Sequence, residues 1–84
     1  MSQFEKLLWR IRMLDKDMRF KELKKVLEHY GYIMDAPAGG SSHRTFRKKG
    51  RDSITIPIHK PIKEVYVRRV RDIVESEETE DENY

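Results

Sequence analysis

Cysteine is absent from the 84 residues, so neither a disulfide framework nor a thiolate zinc site is available. A chain of this kind suits a reducing cytosol, and a cytoplasmic protein is the expectation. Long apolar runs are missing too. Hydrophobic residues make up 37% of the chain and charged ones 39%, and nothing approaches the roughly 18 consecutive apolar residues of a membrane span. The start, Met1-Ser2-Gln3-Phe4-Glu5, has neither a basic head nor an apolar segment, so no signal peptide is expected. Length for a large core is also lacking: a chain this short buries only about 60 to 65% of its unfolded surface, which argues for one domain and against a deep catalytic cavity. The three histidines, His29, His43 and His59, lie 14 and 16 residues apart. With no cysteine to help, that is not a recognised ligand spacing, and neither a metal nor a cofactor is expected.

Charge, by contrast, is plentiful and unevenly placed. The formal net charge is +3, but six of the 15 acids (Glu75, Glu77, Glu78, Glu80, Asp81, Glu82) fall in residues 75–84, where there is no base. Residues 1–74 therefore hold all 18 bases against 9 acids, about +9. Positive charge at that density favours a polyanionic partner, since each neutralised phosphate releases condensed counterions. The acidic end has no apolar periodicity, and the reading is one domain over residues 1–75 with a disordered tail over 76–84.

Periodicity divides the remainder. Phe4, Leu7, Leu8, Ile11 and Leu14 share a helical face, and Ser2 with Glu5 fits a capping box, which predicts a helix over residues 3–14. Trp9 and Phe4 are read as packing residues of that helix. Phe20, Leu23, Val26, Leu27 and Tyr30 predict a second helix over 19–30, stopped by Gly31. Its start is poorly signalled, because Arg19 stands where a Ser, Thr or Asp cap is expected. Three short strands follow: Tyr32 to Met34, Ser42 to Lys48 and Ser53 to Ile56, with a turn at Lys49-Gly50-Arg51-Asp52. A last helix after Pro61 is marked by Ile62, Tyr66, Val70 and Ile73, with Tyr66 read as core. The fold class is α+β: a double-stranded-RNA-binding-like α-β-β-β-α order with an additional N-terminal helix. A sheet covered on one face by helices leaves residues on its other face to a ligand.

Chemistry concentrates in Gly39-Gly40-Ser41-Ser42-His43-Arg44-Thr45-Phe46-Arg47-Lys48. A small-residue loop lets backbone approach a phosphate closely, and it delivers a histidine to the start of a strand with cations just behind. Imidazole, with an ordinary pKa of about 6.5, can both take and give a proton near neutrality. RNA cleavage needs a base for the 2′-OH and an acid for the leaving 5′-oxygen, with cations to stabilise the crowded phosphorane. On chemistry alone a lone histidine beside a glycine-rich loop reads more readily as structural or simply exposed. His29, late in the second helix, suits the helix dipole and is read as structural. His59, between Pro57 and Pro61, could share acid/base work with His43 or cap the last helix, and both alternatives stand.

The ordered set of segments is more specific than any of its parts. Phe20-Lys21-Glu22-Leu23 through Leu27-Glu28-His29-Tyr30-Gly31-Tyr32, then Gly40-Ser41-Ser42-His43-Arg44-Thr45-Phe46-Arg47-Lys48, Ile54-Thr55-Ile56-Pro57-Ile58-His59-Lys60-Pro61-Ile62-Lys63, and Tyr66-Val67-Arg68-Arg69-Val70 to Ile73-Val74-Glu75 together resemble the HicA family of type II toxin–antitoxin systems. The chain departs from many members at Arg19, where they have Thr or Ser. The resemblance implies a stress-response toxin that is a translation-independent mRNA endoribonuclease with His43 as its catalytic residue. It also implies a HicB-type antitoxin as protein partner, and an acidic inhibitor would suit the basic body through faster association.

Around His43, the residues expected to contact RNA are Ser42, Arg44, Arg47, Lys48, Lys60 and Lys63. Strand alternation keeps them from all facing one side. Lys24, Lys25, Arg68, Arg69 and Arg71 are further candidate phosphate contacts, and Lys60 and Lys63 are favoured by the dipole of the helix that follows. Two rival classes remain on sequence alone: a non-catalytic RNA-binding module of the same fold, and a purely structural interaction protein. Oligomeric state has no signature in the sequence.

Overall fold

A computed structural model describes residues 2–35, 42–58 and 61–82. Its elements are helix α1 (Gln3–Arg12), helix α2 (Phe20–His29), strands β1 (Ile33–Met34), β2 (His43–Arg47) and β3 (Ile54–Pro57), and helix α3 (Glu64–Glu82). The strands form one antiparallel sheet in the order β1-β2-β3. Helix, three antiparallel strands and helix, with α1 added in front, make this an α+β protein of double-stranded-RNA-binding-like arrangement. None of the helices among the described residues is long and apolar enough to cross a membrane.

Local chemistry explains the helix ends. Ser2 and Glu5 form the expected capping box: the Ser2 hydroxyl accepts from the Glu5 N–H at 3.1 Å, and the Glu5 carboxylate accepts from the Ser2 N–H at 3.3 Å. The helix stops two residues sooner than its apolar stripe suggests, because Leu14 takes a left-handed φ of +55°. The Leu14 N–H then reaches the Ile11 carbonyl and the Asp15 N–H the Arg10 carbonyl, each at 3.0 Å. Gly31, at φ +92°, closes α2 through the same pair of bonds, from the Gly31 N–H to Glu28 and the Tyr32 N–H to Leu27. Glycine adopts that conformation without strain, whereas Leu14 does not.

At the start of α2, Arg19 is extended and Glu22 does the capping work, its carboxylate accepting from the Arg19 N–H at 2.9 Å. The same carboxylate pairs with Arg10, which also bonds Asp15 at 2.7 Å, tying α1 to the loop and to α2. That hydrogen bond from Arg10 holds the Asp15 carboxyl below the usual carboxylate range.

One core joins all three helices to one face of the sheet. Ile11, Leu23, Val26, Leu27, Phe46, Ile54, Ile56, Val67, Val70 and Val74 are buried together, with Met18, Tyr32 and Ile62 closing the gaps between elements. The Ile62 N–H donates to the Met18 carbonyl at 3.1 Å, which fixes the approach to α3.

The structure differs from the sequence reading in several places. Where a tail is expected from residue 76, α3 runs through Glu82. Glu77 falls three residues after Val74, on the buried stripe of α3, and is itself buried. Its carboxylate meets Lys48 at 2.7 Å and Arg51 at 3.4 Å, while Glu78 pairs with Arg12 of α1. Acids that looked surplus by composition therefore neutralise cations of the body, and the +9 of residues 1–74 overstates the charge left for a partner. Trp9 is not a packing residue either, being 55% exposed. It lies off the stripe of Phe4, Leu7, Leu8 and Ile11, whereas Phe4 packs as expected, its ring centroid 4.1 Å from that of His29. Tyr66 is only half-buried, against the edge of the core.

Candidate functional site

Phe46 sets the faces of β2. Its ring is fully buried among the helices and lies 6.0 Å from that of Phe20, so the side chains two residues either way, Arg44 and Lys48, share the helix side. His43, Thr45 and Arg47 alternate to the opposite face. Much of that face is open: His43, Arg47 and Thr55 are exposed and Ile33, opposite Arg47, is 72% exposed, whereas Pro57, the partner of His43, is buried.

His43 stands at the first position of β2, opposite Pro57 on β3. The strand pairing continues one step further, with the Ile58 N–H donating to the Ser42 carbonyl at 2.9 Å. Ser42 Oγ lies 3.4 Å from His43 Nδ1, close enough to bias how the imidazole is turned. Below it on the same face, the Thr45 and Thr55 hydroxyls are 2.9 Å apart, a cross-strand pair that fixes the surface beside the histidine. Arg47 follows, its guanidinium bonded to the Asp35 carboxylate. An ion pair this exposed is weak, so the Arg47 charge remains exchangeable for a phosphate.

The other expected contacts are distributed differently. Arg44 folds back on the helix side, where its guanidinium donates to the His43 carbonyl at 3.0 Å. With Arg19, Phe20, Lys21, Met34 and Ile58 it lines a cleft of about 660 Å3 at the His43 end of the sheet. Lys48 turns away from His43: its ammonium meets Glu77 at 2.7 Å and sits 5.8 Å from the centre of the Tyr32 ring. Lys63 is exposed and precedes α3, its carbonyl accepting from the Tyr66 and Val67 N–H groups at 3.0 and 3.4 Å. Lys60, His59, Gly39, Gly40 and Ser41 lie outside the described residues. The structure thus puts His43 and Arg47 on one face at opposite ends of β2, sets Ser42 beside the histidine and Arg44 round the edge, and separates Lys48 from them.

The His29 ring packs tilted against Phe4 at 4.1 Å and meets Tyr30 edge-on at 5.1 Å. Among the described residues, no three His, Asp or Glu side chains converge on a point that could hold a metal ion. A surface missed by sequence reasoning is the groove between α1 and α2, because the pairing of those two helices is not visible in either stripe alone. The doublet Lys21 and Lys25, one turn apart, was the available signal.

Comparison with known families gives one finding. The family model described as the HicA toxin of bacterial toxin–antitoxin systems matches residues 20–75, from the start of α2 into α3. No curated protein and no solved structure matches the chain.

Proposed function

The chain belongs to the HicA toxin family, and from that premise we propose that this toxin is an mRNA endoribonuclease whose key acid/base group is the His43 imidazole, acting without a metal. The observation that carries the reading is the placement of His43, exposed at the head of β2 on the uncovered face of the sheet, in the Ser42-His43-Arg44 segment. In the proposed reaction, single-stranded RNA lies across that face. The imidazole takes the proton of a 2′-OH, the 2′-oxygen attacks the adjacent phosphorus, and the bond to the 5′-oxygen breaks. That oxygen leaves with a proton from a general acid, and the other product carries a 2′,3′-cyclic phosphate. Arg47 and Arg44 supply positive charge to the phosphorane from the two sides of the strand, Ser42 orients the ring, and Lys63 holds a flanking phosphate. Lys60 belongs to the same proposed set by its place in the sequence. Lys48 is better assigned to the fold, since it is committed to Glu77. A HicB-type antitoxin is the proposed protein inhibitor, an acidic partner that covers the histidine.

The test is cleavage of an RNA oligonucleotide by the purified protein with and without EDTA. Cleavage should survive chelation, and His43→Ala should lower the rate by about 10² to 10⁴-fold, the usual contribution of a general acid or base. A His43→Ala protein that is folded by circular dichroism and still cleaves at the wild-type rate overturns the assignment. A non-catalytic RNA-binding module would bind the oligonucleotide and leave it intact.

A further inference from the structure

Between α1 and α2 runs a groove of about 420 Å3, lined by Lys6, Leu7 and Arg10 from one helix and Lys21, Glu22 and Lys25 from the other. Arg10 and Glu22 satisfy each other across it. Lys6, Lys21 and Lys25 have no anionic partner among the described residues. Lys21 and Lys25 are one helical turn apart, a like-charge spacing that opposes helix formation unless an anion lies between them. On the same helix Lys24 finds Glu28 at 3.4 Å, so a paired alternative was open to this sequence and is used one residue away.

Lys21 also lines the cleft that contains Arg44, and with Lys24 and Lys25 it borders a further depression along α2. Positive charge is therefore continuous from Arg44, next to His43, past Lys21 to Lys25 and Lys6. We infer that the α1/α2 groove is a track for the phosphate backbone of single-stranded RNA, lengthening the substrate footprint well beyond the residues around His43. Phosphate recognition needs cations at backbone spacing, and the groove offers three lysine ammoniums at its rim, above a mostly apolar lining to which Leu7 contributes. Lys6 stands on α1, outside the stretch matched by the family model, so this part of the track is an addition to the family's shared region. The inference rests on RNA being the substrate.

The experiment measures binding of a labelled 2′-O-methyl RNA oligonucleotide, which has no 2′-OH to react, to the full chain by fluorescence anisotropy over a series of salt concentrations. In the Lys6→Gln/Lys25→Gln protein, the slope of log affinity against log salt should fall by about 1.4, at about 0.7 for each single-strand phosphate that the variant no longer neutralises. The weakening should grow with oligonucleotide length across the range of about 4 to 16 nucleotides that single-strand sites cover. An unchanged slope in that variant, alongside wild-type binding and His43-dependent cleavage, overturns the track and leaves the ribonuclease reading standing. No binding by the wild-type chain at low salt overturns both. Weakened binding to polyglutamate with RNA binding unaltered overturns the track in favour of an acidic protein partner.

Discussion

Replacing Glu77 by alanine removes the acid that α3 buries against the β2–β3 hairpin. The Glu77 side chain is 10% exposed, and its partners Lys48 and Arg51 are 28% and 25% exposed. A fully buried pair broken from one side costs about 3 to 5 kcal/mol, and an exposed pair about 0.2 to 1. Two cations that keep a quarter of their surface in water fall between, so the expected loss is about 2 kcal/mol. For a domain of this size each kcal/mol moves the midpoint by about 4 to 8 °C, so melting should drop by about 8 to 16 °C. Truncation after Ser76 removes the same carboxylate and the Glu78 partner of Arg12, and should cost at least as much. The assay is thermal or urea unfolding followed by circular dichroism on the three proteins. Restoring apolar complementarity with Lys48→Met in the Glu77→Ala background should recover part of the loss, because the stranded cation is then gone. A truncated chain melting within a degree or two of the full one would refute the reasoning and return the acidic segment to the role of a solvated tail.

Two further outcomes test local features. Gly31→Ala places a Cβ no closer than 3.6 Å to Lys48, so its cost is the left-handed φ of +92° alone, about 1 to 2 kcal/mol by urea denaturation; an unchanged midpoint would contradict the helix stop. Burial pushes the Tyr32 phenol above its ordinary pKa, with the Glu77 carboxylate adding to the effect. The fold therefore favours the protonated phenol: its contribution is complete below about pH 10 and is lost as pH rises through the higher folded value. Tyr32→Phe should abolish that alkaline loss and remove one late-titrating phenol from an ultraviolet titration. Identical alkaline unfolding of the two proteins would count against it.

The elements were legible where periodicity and packing agree. Phe4, Leu8 and Ile11 or Leu23, Val26 and Leu27 point inward in the structure because nothing competes with burial at those spacings. The sequence misled where composition and position pull apart. Six acids in ten residues read as a solvated tail, yet Val67, Val70, Val74 and Glu77 keep the three-and-four spacing of one helical face. The position of Glu77 predicted burial, and its charge hid it until Lys48 and Arg51 were found opposite. Trp9 is the converse, an apolar residue read as packing from its nearness to the stripe of α1 and found 55% exposed. At the site, alternation announced that Arg44 and Lys48 oppose His43 and Arg47, but not which pair faces the helices. Only the burial of Phe46 decides that.

The segments outside residues 20–75 also explain one another. Arg10 of α1 holds Glu22, which caps α2, and Arg12 of α1 holds Glu78 on the extension of α3. The added helix and the added acidic turns thus brace the two helices that flank the sheet, on the side away from the open face of His43. Such bracing lies away from the face that carries His43 and Arg47. It also sets Lys6 across from Lys21 and Lys25, so the device that steadies the helices builds the cationic groove between them. Neutralising Arg10 should accordingly loosen α1 and blur the groove together, a coupling that separate surface lysines on a solvated helix would not show.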